Sequence, residues 1–188
     1  MRRLSIVFTV LVAAIFAALG EANDTPKRSP ELQVLDRFLG TWDSEVTISR
    51  FNAIGQRVET KISDVDTRKW SAGGTFVIFE NSLAMKRDPE VPEFIMMITY
   101  DPETHTYPGC FMSGPSRTIL TGVWNERTQT MHWHGKDLDE NKLLGKHQFI
   151  GRDRAEASVV TTNPASTKTE NPFGKLKVEI SWKQTRRK

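Results

Sequence analysis

The chain carries one short helical pattern, and every later segment has the two-residue periodicity of strands. Ser29-Pro30 offers a helix N-cap followed by a proline at the first helical position. Leu32, Leu35 and Phe38 then recur at helical spacing, and the periodicity changes to two at Trp42. No comparable helical stretch returns before the C-terminus. The sequence therefore predicts an all-β protein that opens with a short plug helix.

Ten segments are typical of strands, and most of them are joined by short turn-forming sequences. They are 41–51, 57–70, 75–84, 94–100, 106–112, 116–124, 130–136, 143–151, 155–162 and 175–183. In the second segment the alternation slips between Ile62 and Val65, which predicts a β-bulge. Short connections suit antiparallel neighbours, and a meander of about ten strands avoids free edges only by closing on itself. We therefore expect a closed up-and-down antiparallel barrel.

The first twenty-two residues have the character of a signal peptide. Arg2 and Arg3 precede an apolar run over 4–19, and small residues allow cleavage after Gly20 or after Ala22. An uncleaved membrane anchor is the alternative, but the run is short for a bilayer, which needs about 20 residues. We expect a periplasmic or secreted protein made of one domain, residues 23–188, with no membrane span after cleavage.

Size and charge narrow the function classes. Cleavage at residue 22 leaves 166 residues and a net charge of +2, since Arg2, Arg3 and Glu21 are removed from a chain of net charge +3. This length suits one domain, and the interspersed charges give no footprint for nucleic acid. Cys110 is the single cysteine, so no intramolecular disulfide can form.

Five motifs together resemble a bacterial family of unknown function, DUF1579. They are Leu39-Gly40-Thr41-Trp42-Asp43, Ala72-Gly73-Gly74-Thr75-Phe76, Ile98-Thr99-Tyr100-Asp101-Pro102, Gly122-Val123-Trp124-Asn125 and Lys177-Val178-Glu179-Ile180-Ser181-Trp182. Members of that family often occur as exported proteins. The resemblance implies a lipocalin-like (calycin) barrel and brings no established activity with it.

The Gly40-x-Trp42 pair resembles the signature shared by calycin barrels. The resemblance implies that the tryptophan plugs the closed end of the barrel beneath a basic residue from the last strand. In this chain that residue would be Lys183 or Arg186.

His132-Trp133-His134 is the sharpest local signal for a metal or haem site. Residues two apart on a strand share a face, so the two imidazoles project together, and His147 on the next strand could join them. Haem is considered because nitrobindin-like barrels, a neighbouring calycin group, hold one on a histidine. In the alternative, Met131 and Trp133 face the core and the histidines face solvent. Met131 and Trp133 are more apolar than His132 and His134, which favours this alternative. No metal or cofactor is therefore predicted.

No catalytic constellation emerges. Cys110 has no evident basic partner, and Ser113 lies in a turn without the strand-to-helix elbow of a hydrolase serine. No phosphate-binding loop is present. A non-enzymatic role is therefore favoured.

Aromatic and methionine side chains concentrate in the middle strands and are candidates for lining a ligand cavity. They are Phe76, Phe94, Met96, Tyr100, Tyr107, Met112 and Trp124. An ordinary filled core is the alternative. Loops 85–93 and 163–174 are expected to gate the open end. The leading hypothesis is an exported barrel that binds a small, largely apolar molecule. A haem- or metal-dependent protein using His132, His134 and His147, and an envelope interaction module, remain as alternatives, and the oligomeric state is left open.

Overall fold

The computed structural model describes residues 28–51, 56–81, 93–138, 140–162 and 177–188. Glu31–Lys188 form one compact unit, and residues 28–30 fall outside it. The expected signal peptide, residues 1–22, lies outside the described residues, so that expectation and the domain start at residue 23 stay predictions. Within the described residues, no helix is both long enough and apolar enough to cross a membrane.

Among the described residues, ten antiparallel strands close into a barrel in which each strand pairs with the next and the last pairs with the first. The predicted all-β fold, a closed up-and-down antiparallel barrel of about ten strands, is confirmed. The strands are β1 (Gly40–Phe51), β2 (Arg57–Trp70), β3 (Val77–Glu80), β4 (Phe94–Ile98), β5 (Tyr107–Ser113), β6 (Ser116–Asn125), β7 (Thr130–Asp137), β8 (Lys142–Phe149), β9 (Arg154–Thr162) and β10 (Lys177–Arg186). Cross-strand partners lie on the same face, so the pairing around the closed circle separates an inner from an outer face.

A short helix precedes β1 and closes one end of the barrel. Helix α1 (Pro30–Val34) tightens into a 3-10 turn (Leu35–Arg37), and we call these two elements the plug. Proline stands at the first helical position, as the sequence predicted. Leu35 and Phe38 are 0% and 1% exposed and belong to the hydrophobic core. Burial of this apolar stripe stabilises a helix too short to persist alone.

The two ends of the barrel differ. The plug end is where β1 begins and β10 finishes, with Trp42 opposite Arg186. The open end is the opposite end, where β3 finishes and β4 begins, and where β9 finishes and β10 begins. Loops 85–93 and 163–174 follow those strand ends but, apart from Glu93, lie outside the described residues. Their gating role stays a prediction.

Strand β2 is regular in its pairing with β1. The register runs unbroken from Gly40 opposite Arg68 to Phe51 opposite Arg57, so the predicted bulge between Ile62 and Val65 is wrong. The break in the alternation of apolar and polar residues instead reflects uneven burial of the two faces of β2. The inner-face residue Ile62 is 42% exposed, whereas Val65, on the outer face, is 4% exposed. Strand β3 pairs with β2 only over Thr67–Trp70, so its described residues leave the rest of β2 uncovered on that side.

Candidate ligand-binding interior

Trp42 closes the plug end between two guanidinium groups. Arg186 lies 4.7 Å and Arg68 lies 5.0 Å from the centroid of its ring. The indole N–H of Trp42 donates to the carbonyl of Phe38 at 2.7 Å. Of the two basic residues expected from the last strand, Arg186 therefore covers the tryptophan. Lys183 is exposed and pairs with Glu45 on the outer face.

Gly40 fits the space that this arrangement leaves. Its φ is +109°, a conformation that residues with a side chain rarely adopt, and a Cβ there would lie 3.3 Å from the Cδ atom of Arg186. The stem of Arg186 thus packs over Gly40 while its guanidinium reaches Trp42. One Nη atom of Arg186 also donates to the Arg37 carbonyl of the plug at 2.7 Å. This explains why glycine and tryptophan stand two residues apart.

A buried ion pair lies beside Trp42. Arg68 and Asp66 are each 4% exposed and share two hydrogen bonds, one of them from Nη2 to Oδ2 at 3.0 Å. The Arg68 guanidinium also lies 5.0 Å from the ring centroid of Phe79. Because the carboxylate compensates the guanidinium, this buried pair carries no net charge.

His147 is an uncharged member of the aromatic cluster under the plug. Its ring centroid lies 4.9 Å from that of Phe38 and 4.8 Å from that of Phe149. Burial, helped by the positive charge of Arg68, lowers the pKa of His147 well below its usual 6.5. The imidazole is therefore neutral at pH 7 and contributes packing.

The structure separates the three histidines considered for a metal or haem. His147 pairs with Met131 and is buried on the inner face, whereas His132 and His134 are exposed on the outer face. The idea that all three share one site is wrong, because His147 points into the barrel whereas His132 and His134 point outward. Met131 and Trp133 face the core, as the apolar weight of the strand indicated. Among the described residues, no group of three or more His, Cys, Asp or Glu side chains is arranged to hold a metal ion.

Tyr100, Tyr107 and Trp124, predicted as cavity residues, instead form a collar around the plug. The Tyr107 hydroxyl donates to the Glu31 carbonyl at 3.0 Å, and burial raises the pKa of Tyr107 to about 12. The rings of Tyr100 and Tyr107 lie 5.2 Å apart. Arg37 of the plug stands 5.5 Å from the ring centroid of Trp124. Tyr107 and Trp124 hold the plug to the rims of β5 and β6, and Tyr100 packs against Tyr107.

Phe94 and Met96, two other predicted cavity residues, lie on the inner face toward the open end. Phe111 joins them: it pairs with Met96, and its ring lies 5.6 Å from that of Phe94. All three are partly buried and pack against the core. Phe111 was left out of the predicted cavity set because the sequence alone left the inner and outer positions of β5 undecided.

Strand β2 contributes two further apolar side chains to the inner face of this half, Val58 and Ile62. They are 49% and 42% exposed, whereas Asp66 and Arg68 on the same face of the same strand are 4% exposed. Both residues stand between polar neighbours in the sequence, so they were not predicted to line the interior. Their spacing from Asp66, in steps of two, places them on the same inner face of β2. The inner face therefore changes from filled at the plug end to accessible along β2, where Val58 and Ile62 alternate with Thr60 and Asp64.

Trp133 lies between the two halves. It pairs with Gly122 on one side and Gly145 on the other. A Cβ on Gly122 would lie 2.6 Å from Cζ3 of the tryptophan, so the ring covers this glycine directly. The indole occupies the width that two missing side chains leave.

The two remaining cavity candidates are not part of this interior. Phe76 precedes β3 and is 42% exposed. Met112 pairs with Ile95, itself 36% exposed, on the outer face. With Phe111 directed inward, strand alternation directs its neighbour Met112 outward.

A concave region of about 640 Å³ lies mainly on the outer side of β1, β2, β9 and β10. Acidic and basic side chains alternate along it, among them Asp43, Glu45, Lys183 and Glu156. It contains neither the aromatic nor the methionine candidates.

A family profile described as "Protein of unknown function (DUF1579)" matches residues 27–163. The chain belongs to the DUF1579 family. The resemblance inferred from the motifs is thereby confirmed, and the last of those motifs, Lys177–Trp182, lies beyond the matched range. A comparison with curated proteins gives no match.

Two solved structures resemble this DUF1579 chain. One is a Nostoc punctiforme protein of unknown function from the DUF3598 family, with 11% identity and a TM-score of 0.51, aligned over 81% of this chain. This chain spans 48% of the length of that protein. The other is an S-type phycobiliprotein lyase from Guillardia theta, with 15% identity, a TM-score of 0.46, and coverage of 87% of this chain and 96% of the lyase. The first likeness shows the fold alone.

Proposed function

We propose that this DUF1579 protein is an exported carrier that binds a small, largely apolar molecule in the open half of its barrel. The observation that carries the proposal is the gradient of exposure along the inner face of β2. Ile62 is 42% exposed, while Arg68, six residues further along, is 4% exposed. When a ligand covers inner-face apolar side chains that are in contact with solvent, the free energy of the system falls by about 25 cal/mol per Å² of apolar surface buried.

The inner wall toward the open end suits an apolar ligand rather than a charged one. Phe94, Met96 and Phe111 present rings and a thioether, and a methionine adapts its shape to different ligands. The buried charges of Arg68 and Asp66 are already paired with each other. Specificity would therefore follow the size and shape of the ligand more than its polar groups.

A pair of matched variants tests the location of the site. Ile62→Glu places a carboxylate on the inner face, and Ile150→Glu places one on the outer surface at a residue that is 39% exposed, close to the 42% of Ile62. Binding of the uncharged fluorophore N-phenyl-1-naphthylamine would be titrated for both variants and for the unmodified protein. We expect Ile62→Glu to weaken binding at least tenfold, because the ligand would have to desolvate a carboxylate. Ile150→Glu should bind as the unmodified protein does. Equal affinities in all three proteins would refute the interior site.

Export is tested separately. Intact masses of the protein from periplasmic, membrane and cytoplasmic fractions of its host would locate the mature N-terminus. We expect a soluble periplasmic or secreted form that starts at Glu21 or Asn23. A full-length form confined to the membrane fraction would favour the uncleaved anchor.

A further inference from the structure

The outer face of β6, β7 and β8 presents a regular grid of nine side chains. Three rows of cross-strand partners compose it: Ile119, Lys136 and Lys142; Thr121, His134 and Leu144; and Val123, His132 and Lys146. We call these nine residues the β6–β8 grid. It includes His132 and His134, which face outward and are not part of the barrel interior.

Apolar side chains in the grid are unusually exposed. Leu144 is 65%, Ile119 is 57% and Val123 is 46% exposed. Leu138, which follows β7 at the open end, is 66% exposed. Apolar side chains rimmed by polar groups mark surfaces that meet a partner or a membrane.

The charges of the grid have one sign. It contains three lysines and no acidic residue, and the nearest described carboxylate partner is Glu140, which pairs with Lys136. The adjoining outer face of β9, β10 and β1 differs: Glu45 lies directly beside Lys183, which in turn lies beside Glu156. The barrel therefore has one basic, apolar flank and one flank of mixed charge.

We propose that the β6–β8 grid docks the protein on an anionic lipid membrane surface. Lysines attract anionic headgroups, and exposed leucine, isoleucine and valine side chains enter the region between headgroups and acyl chains. A lipid surface is deformable and adapts to the curved outer face of β6–β8, so docking needs no preformed hollow. The grid reaches Leu138 at the open end, so docking would bring that end close to the bilayer.

Vesicle flotation with charge-reversed variants tests the proposal. The protein would be purified from its host, so that its N-terminus is the one the cell produces. It would be mixed with vesicles of phosphatidylglycerol and phosphatidylcholine in equal amounts, or of phosphatidylcholine alone. The test variant is Lys142→Glu/Lys146→Glu, and the matched control is Lys61→Glu/Lys183→Glu on the flank of mixed charge. All four lysines are exposed. Unchanged circular dichroism would show that both variants fold.

We expect the unmodified protein and the control to bind the anionic vesicles and to bind phosphatidylcholine weakly. The test variant should lose affinity by at least about thirtyfold, since each lysine near an anionic surface contributes roughly a factor of five and the glutamates add repulsion. Leu144→Ser, tested as a single substitution, should also weaken binding to the anionic vesicles. Absence of binding by the unmodified protein, or an equal loss in both double variants, would overturn the proposal. These outcomes are independent of fluorophore binding inside the barrel.

Discussion

The guanidinium of Arg186 lies 4.7 Å from the ring centroid of Trp42, so the last strand of the barrel covers the tryptophan of the first. The same side chain packs over Gly40 and donates to the Arg37 carbonyl of the plug. One residue thus joins β10, β1 and the plug. Its contribution is structural, because it lies at the filled end of the barrel.

Arg186→Leu should lower the free energy of unfolding by about 2–3 kcal/mol. It removes a cation–π contact and a charge-assisted hydrogen bond, each worth about 1–2 kcal/mol. Arg187→Leu is the matched control. Arg187 pairs with Asp43 on the exposed surface, so its loss should cost less than about 1 kcal/mol. Urea unfolding followed by circular dichroism would measure both, and equal losses would contradict the role given to Arg186.

Gly122→Ala should destabilise the barrel by about 1–3 kcal/mol through overpacking. The new methyl group would lie 2.6 Å from Trp133 Cζ3 and 2.9 Å from Met131 Sδ. Gly73→Ala is the control, since a Cβ there meets only the Thr75 hydroxyl at 3.8 Å. Thermal unfolding of the two variants would separate the effects. Gly122→Ala should cost less in a Trp133→Leu background than in the unmodified protein, and an equal cost in both backgrounds would show that the tryptophan is not the obstacle.

Tyr107→Phe should weaken the attachment of the plug by about 1 kcal/mol, since it removes one hydrogen bond to the Glu31 carbonyl and leaves the ring in place. Tyr100→Phe is the control, because its hydroxyl lies beside the exposed side chain of His105. Hydrogen exchange of the plug amides would detect the change. Unaltered exchange in Tyr107→Phe would argue against the collar.

Periodicity in the sequence predicted the barrel, its ten strands and the plug, because alternation and turn residues are local properties. The cavity was predicted less well. Tyr107 and Trp124 are as aromatic as Phe94, yet they hold the plug. Only the position of a strand residue along the barrel axis, which depends on the register of neighbouring strands, separates these roles. Ile62 escaped notice because its exposure results from the short pairing of β3 with β2.

Orientation within a strand was easier to predict than depth. Met131 and Trp133 outweighed His132 and His134 in apolar character, and the histidines face outward accordingly. The sequence could not show that His147, two strand positions before a turn, would be enclosed by Phe38 and Phe149. Phe38 directly follows the plug in the sequence, and no local pattern indicates a contact between residues so far apart in the chain.

The buried state of His147 makes stability depend on pH. Its pKa in the folded protein is well below 6.5, whereas an unfolded chain binds a proton near pH 6.5. Below that pH the unfolded state holds more protons, so acidification favours unfolding. The contribution of His147 is therefore fully present above about pH 6.5 and falls by up to about 1.4 kcal/mol per pH unit below it, until the folded pKa is reached.

His147→Phe should abolish that part of the pH dependence. Phenylalanine fits among Phe38 and Phe149 and cannot bind a proton. The unfolding free energy of the variant minus that of the unmodified protein should therefore rise from pH 7.5 to pH 5. Urea titrations at half-unit intervals would measure it. His132→Phe, on the exposed outer face, serves as the control and should leave the profile of the unmodified protein unchanged. A constant difference between His147→Phe and the unmodified protein across this range would mean that the imidazole gains its proton without leaving the core. In that case the aromatic cluster would be open to water, and the plug end would have to be counted as part of the accessible interior.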